Sequence, residues 1–233
     1  MLRNVESDVG VRSVSTGGRR LVEVLSAAFA EDPWLRWSLP DAGAVRSLMS
    51  LFLRVVAFPH GHVLVAGDPV IGVAIVLPPG PLPPPSPEVG AMVMALHGRR
   101  RVGPALDADA IIGRYRPVAD LWELHTLGVH PSVQGTGIGS ALLRATLGLA
   151  AGQPVALETA ADATVSWYQH RGFAVDARVD LGVGHGLDSA APTVWLMSTR
   201  PTVQEQDAQE QVTPACFGPA AAEPPPGPGR GQR

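Results

Sequence analysis

The chain of 233 residues has no lysine: all 18 of its basic residues are arginine. That removes two kinds of chemistry at once. A phosphate-binding loop of the Walker type needs its lysine, and Schiff-base catalysis needs an amine nucleophile. Cysteine is nearly as scarce. With Cys216 alone there is no intrachain disulfide and no cysteine metal cluster. The scattered histidines show no ligand spacing, so no metal site is expected. No apolar run approaches the ~20 residues that cross a bilayer, and the start of the chain lacks an apolar signal region. A cytoplasmic protein without membrane contact is therefore expected. Charge of either sign is sparse as well. The formal net charge is −3, and Arg99, Arg100 and Arg101 form a short basic run that reads as a solvated helix end. Nucleic acid is not an expected partner.

What the chain does have is apolar residues, glycine and proline. Apolar residues make up 45% of it, enough for one sizeable core. The pattern divides into a flexible start (1–10), a folded domain (11–200) and a Pro/Gly/Gln-rich tail (201–233) too polar to offset its conformational entropy. Val11 to Val14 reads as a strand. Leu21 to Phe29 has helical spacing and meets a stop at Pro33. A second helix is expected from Ala42 to Phe58. Strands at His62–Ala66 and Val70–Leu77 flank the turn at Gly67, Asp68 and Pro69. Seven prolines between Pro78 and Pro87 make a stiff connection. Helices are expected over Val89–His97 and Asp107–Tyr115. Then follow a strand (Leu121–Val129), a helix (Ile138–Ala151), a strand (Val155–Glu158), a short helix (Ala163–His170) and strands at Phe173–Leu181 and Thr193–Met197.

The informative segment is Gln134-Gly135-Thr136-Gly137-Ile138-Gly139, placed after a strand and before a helix. Glycines let the backbone turn tightly and bring N–H groups close to a ligand. The helix start adds unpaired donors and partial positive charge, so a pyrophosphate can be held without a side-chain cation. A dinucleotide fold competes, because Glu158 lies where a ribose-binding acid belongs. Against it, Ser140 occupies the third glycine position of that fingerprint, and five residues from His130 to Gln134 separate strand from glycine.

The stretch LWELHTLGVHPSVQGTGIGSALL, with Val129, Pro131, Gln134, Gly137 and Gly139, resembles the first conserved block of the GNAT acetyltransferases. VALETAADATVSWYQHRGFAV, with Tyr168, Gly172 and Phe173, resembles their second. The likeness from Val11 to Pro201 is nearest to the puromycin N-acetyltransferase-like group of actinobacteria. It implies an α+β GNAT fold: a mixed central sheet of six to seven strands flanked by helices, splayed at an acetyl-CoA site. It implies that Leu127, Gly128 and Val129 offer backbone to the pantetheine, and that the N–H groups of Gln134, Gly135, Thr136, Gly137, Ile138 and Gly139 cradle the pyrophosphate. An N–H near Val129 would polarise the thioester carbonyl. Tyr168 would be the general acid; Glu123, with His125 on the same strand face or a water, would be the base. Thr164 stands where many members carry an asparagine that contacts the cofactor, and Trp167 reads as core.

Phe29, Trp34, Trp37 and Tyr115, with His125, are the expected acceptor-pocket residues. His185 reads as exposed. The implied activity is acetyl transfer to a small-molecule primary amine, antibiotic modification included. A protein acetyltransferase and a non-catalytic acyl-CoA-binding regulator are the alternatives. The assembly is expected to be a monomer or homodimer.

Overall fold

The computed structural model describes residues 10–117 and 121–199. The expected tail at 201–233, Cys216 within it, and residues 1–9 lie outside the described residues. Seven strands form one open sheet in the order β1-β2-β3-β4-β5-β7-β6. They are β1 (Val11–Val14), β2 (His62–Ala66), β3 (Gly72–Leu77), β4 (Trp122–Val129), β5 (Val155–Thr159), β6 (Phe173–Asp180) and β7 (Thr193–Thr199). Every neighbouring pair is antiparallel except β4–β5. The sheet is thus mixed, as expected.

Helices cover both faces, and strand alternation sorts the apolar residues between them. On the back, α6 (Ile138–Leu149) and α7 (Asp162–Gln169) pack on Ala74, Val76, Leu124, Val129, Val155 and Leu157. On the front there are two separate clusters. One joins α1 (Arg19–Ala28) and α3 (Ala42–Phe52) to Val63, Val65, Val73 and Ile75. The other joins α2 (Pro33–Ser38) and the end of α5 (Pro87–Gly113) to Val179, Val194 and Leu196. Two glycines set the approach of the helices. A Cβ on Gly72 would lie 2.7 Å from Ile138 Cγ2 on the back, and one on Gly128 would lie 3.0 Å from Ala28 Cβ on the front.

Several prolines act differently from the sequence expectation. Helix α1 ends at Ala28, and Pro33 opens α2 rather than stopping α1. Proline suits a first helical position, where its missing N–H costs nothing, and the Asp32 side chain accepts from Leu35 N at 2.9 Å. The second helix runs past Phe58, through a π segment (Leu53–Ala57) into α4 (Phe58–His60). Pro59 cannot donate to the carbonyl four residues back, and Phe58 N instead bonds Leu53 O. The whole run Ala42–His60 is 19 residues and contains a window of mean hydropathy 1.4. By length and composition such a helix could cross a membrane, but here Ala44, Val45, Met49, Leu53 and Ala57 are buried against the sheet cluster.

The two expected helices at Val89–His97 and Asp107–Tyr115 are both present as the two arms of α5, and the second starts earlier than expected. The element breaks at Gly98 (φ 69°) and runs on to Gly113, through Pro104. Strand β3 starts at Gly72 rather than Val70, after a turn with a cis Asp68–Pro69 bond.

Candidate active site: splayed strands and a glycine turn

Strands β4 and β5 pair only at Trp122–Val155 and Glu123–Ala156. Both continue in the same direction, β4 to Val129 and β5 to Thr159, without further pairing. The cause lies on the other edge of β4. There Thr126 pairs with Ile75 and Leu124 with Val76, so His125 is one extra residue in the ladder. Such a bulge bends a strand and sharpens its twist, and it sits where pairing to β5 stops. Beyond it, the β5-facing backbone groups of β4 have no strand partner, while the β3 side stays paired to Val129.

The gap leads to the glycine turn. After a short 3-10 turn (Pro131–Val133), Gly135 and Gly137 adopt φ +79° and +91°, a conformation costly for other residues. Side-chain bonds fix the loop: Gln134 Nε2 donates to Val129 O at 3.1 Å, and Thr136 Oγ1 to Val133 O at 2.7 Å. Gly137 caps α6, so the first N–H groups of that helix, from Ile138 to Ser140, point outward without intrahelical acceptors. A Cβ at Gly135 or Gly137 would meet open space. The donors face open space, which suits a pyrophosphate, and the unpaired edge of β4 leads to it. The residues present fit a CoA thioester.

Arg171 was not anticipated here. Its guanidinium lies 4.0 Å from the Trp167 ring centre and donates to Ser140 Oγ at 3.0 Å and Trp167 O at 2.9 Å. It brings a cation to the first turn of α6. Trp167 itself sits against the back cluster and beneath Gly139.

On the front face, between the two apolar clusters, lie Glu123, His125, Thr126 and Glu158. Alternation puts His125 on the side of Glu123, two residues before it, and the bulge brings Thr126 to that side as well. His125 stacks on Phe52 (centroids 4.1 Å apart, 22° between planes) and shares a hydrogen bond with Thr126 Oγ1 at 3.0 Å. His125 is an exposed residue by surface area, yet protein atoms crowd around its ring. That desolvation pushes its pKa down to about 4, against a smaller opposing pull from Glu158, so the imidazole is neutral near pH 7. Glu123 shifts the other way. Burial, then the nearby Glu158 carboxylate, raises its pKa, with Arg116 partly offsetting them. Arg116 Nε reaches Glu158 Oε1 at 2.6 Å, and its Nη2 reaches Asp109 at 2.9 Å.

Tyr168 comes from the back. Its ring packs edge-on to Trp167 and Phe173, burial pushes its pKa up to about 12, and its hydroxyl makes no hydrogen bond among the described residues. Acid and base candidates therefore flank the sheet on opposite faces, and the gap between β4 and β5 is where groups from both can meet.

The other expected contacts are placed less favourably. Thr164 Oγ1 is committed to Ala161 O at 2.8 Å and to Thr159 Oγ1 at 2.9 Å. Trp37 is core, 4% exposed, with its indole N–H on Asp188 at 3.0 Å. Tyr115 is exposed past the end of α5, and Phe29 and Trp34 are half-buried in the front clusters. His185, expected to be exposed, is half-buried and lines a small hollow with Asp107 and Arg114. Glu158, Arg116 and Phe52 were missed. Glu158 had a visible signal, an acid at a strand end. Among the described residues no group of three or more His, Cys, Asp or Glu is placed to hold a metal.

Comparison with known proteins agrees with this geometry. The family profile described as an acetyltransferase (GNAT) domain matches residues 89–175. N-alpha-acetyltransferase RimI of Mycobacterium tuberculosis is 45% identical over 64 residues, 27% of this chain and 39% of that protein. The chain thus spans about two fifths of the length of this curated relative. Among solved structures, one titled histone acetyltransferase HPA2 and related acetyltransferase, from Corynebacterium glutamicum, superposes with TM-score 0.61 at 24% identity, covering 84% of this chain and 97% of the other. An agmatine N-acetyltransferase superposes at 0.55 and 20% identity, covering 82% and 98%. The sheet with its parallel splayed pair is the GNAT fold, and residues 89–175 match the profile of an acetyltransferase (GNAT) domain.

Proposed function

We propose that the protein is an acetyl-CoA-dependent N-acetyltransferase acting on a primary amine of a small molecule. The observation that carries this reading is the unpaired gap between β4 and β5, opening beside the glycine turn at the head of α6. Acetyl-CoA supplies an acetyl group activated as a thioester. The N–H groups of Gly135 to Gly139 hold its pyrophosphate, and the free backbone of Leu127, Gly128 and Val129 takes the pantetheine as an added strand. An N–H near Val129 stabilises the negative charge that develops on the carbonyl oxygen.

Glu123 takes the proton that the amine must lose as its nitrogen bonds to the acetyl carbon. Its raised pKa brings it closer to the working pH, as general-base catalysis requires. His125, neutral and pinned between Phe52 and Thr126, is a weaker proton acceptor and orients the amine instead. Tyr168 stays protonated and donates its phenol proton to sulfur as the C–S bond breaks. The apolar clusters on either side of the cleft and the Phe52–His125 stack suit a compact acceptor. The finer likeness to puromycin N-acetyltransferase-like members makes puromycin the first acceptor to try. A protein N-terminus is the second reading, supported by the identity to RimI.

The test is acetyl transfer to a panel of amines, including puromycin and a short peptide, with products read by mass spectrometry. An acetylated small amine, lowered about 10²–10⁴-fold in Tyr168→Phe, is expected. Acetylation of the peptide alone would establish the second reading. No acetylated product and no acetyl-CoA binding would sink both.

A further inference from the structure

The front of the cleft contains one guanidinium and three carboxylates whose arrangement points past a generic amine. Glu123 pairs with Ala156 in the parallel register. Two residues further along β5, Glu158 is level with His125 across the widening gap. A two-residue step along a strand and one strand spacing put the Glu123 and Glu158 backbones on the order of 8 Å apart, more where the strands splay. The Glu123 carboxyl group makes no ion pair or hydrogen bond among the described residues. Glu158 holds a cation already: Arg116 engages both its oxygens, Nε at 2.6 Å and Nη2 at 3.4 Å.

Two features make that guanidinium exchangeable. Both side chains are partly exposed, 44% for Arg116 and 33% for Glu158, so one ion pair can replace another at small cost. Arg116 also has a second anchor, Asp109 at 2.9 Å, which keeps it paired after it leaves Glu158. With Arg116 on Asp109, two carboxylates flank the cleft, one beside the expected reacting nitrogen and one a short alkyl chain away.

We propose that Glu158 is a specificity-determining residue that seats a second cationic group of the acceptor in place of the Arg116 guanidinium. The preferred acceptors are then dicationic amines, diamines or aminoguanidines with a short flexible spacer. This rests on the acetyl-transfer reading and names the acceptor class for that site. If Arg116 and Glu158 were only a clasp joining the end of α5 to β5, breaking the pair from either side would affect all acceptors alike.

The experiment is calorimetric titration of the full chain, first with CoA, then with cadaverine or pentylamine, which match in length and differ by one charge. Without an acetyl group nothing turns over, so binding is read alone. The native protein should bind cadaverine at least tenfold tighter than pentylamine. Glu158→Gln should erase the preference by weakening cadaverine only. Arg116→Gln, which removes the internal competitor, should tighten cadaverine severalfold and leave pentylamine unchanged. Equal affinities in the native protein, binding of neither amine, or a parallel loss of both amines in the two variants would overturn the proposal. Failure to bind CoA in the first stage would instead remove the acetyl-CoA reading on which it rests.

Discussion

Glu123 and Tyr168 are held by opposite physical means. Glu123 is pushed toward neutrality by burial and by Glu158, and Tyr168 is kept as a phenol by burial alone. The sign for Glu123 has two consequences. A carboxyl with a raised native pKa binds more protons folded than unfolded between its ordinary value of about 4.3 and the raised one. Its contribution to stability is present below the ordinary value and lost as pH rises through the raised value. The base role proposed for Glu123 needs the deprotonated form, so the acid limb of kcat/KM should lie above the ordinary glutamate range. In Glu123→Gln activity should fall about 10²-fold or more and that limb should flatten, with stability at neutral pH no lower than the parent's. An acid limb unmoved in this variant would assign the base elsewhere. What was legible at this scale is placement. Tyr168 and the glycines stand in short contiguous blocks whose spacing is readable along the chain. Glu158 and Arg116 were not legible as partners, because 42 residues separate them and only the sheet brings them together. Trp37 was misplaced for a related reason: an aromatic side chain has the same composition signal in a pocket wall and in a core.

Among elements, the glycine turn is the clearest case of sequence dictating backbone. Gly137 caps α6 at φ +91° with open space around its absent side chain. Gly137→Val should therefore cost about 1–2 kcal/mol of stability through strain, measured by denaturant unfolding, and weaken CoA binding at least tenfold. A variant that is destabilised yet binds CoA normally would show that the turn does not hold the cofactor. The prolines teach the complementary lesson. Pro33 reads as a stop, yet it starts a helix capped by Asp32, whereas Pro59 falls in the last turn of a helix that ends at His60. Proline fixes a local angle and removes a donor; whether that ends a helix depends on the neighbours supplying a cap or a longer hydrogen bond. The bulge at His125 had no signal at all. Nothing in the residue types of β4 demands an extra residue there, since the mismatch exists only in its pairing with β3.

At the scale of the whole molecule, the sheet separates two tasks. The back, with α6 and α7, carries the glycine turn and Tyr168; the front, with α1 to α5, frames the proposed acceptor cleft. The front is tied together at Asp188 in the β6–β7 connection, which accepts from Trp37 Nε1 at 3.0 Å and from Arg101 at 2.8 Å. Asp188→Asn should raise the KM for the amine severalfold while the affinity for CoA stays unchanged; a loss of CoA affinity would refute the division. The mixed sheet flanked by helices was legible through the resemblance of the two sequence blocks, whereas the interposition of β7 between β5 and β6 follows from long-range pairing that periodicity does not encode. The same topology bears on solubility. An unpaired strand margin at the rim of a sheet is a template on which another chain can add, and such rims promote aggregation. Here the largest break in the ladder is interior, bordered by paired strands on either side, with α6 behind β4 and α1 in front. Only something narrow and extended fits it, so the protein keeps a vacant strand position available to a small ligand while denying it to a neighbouring polypeptide.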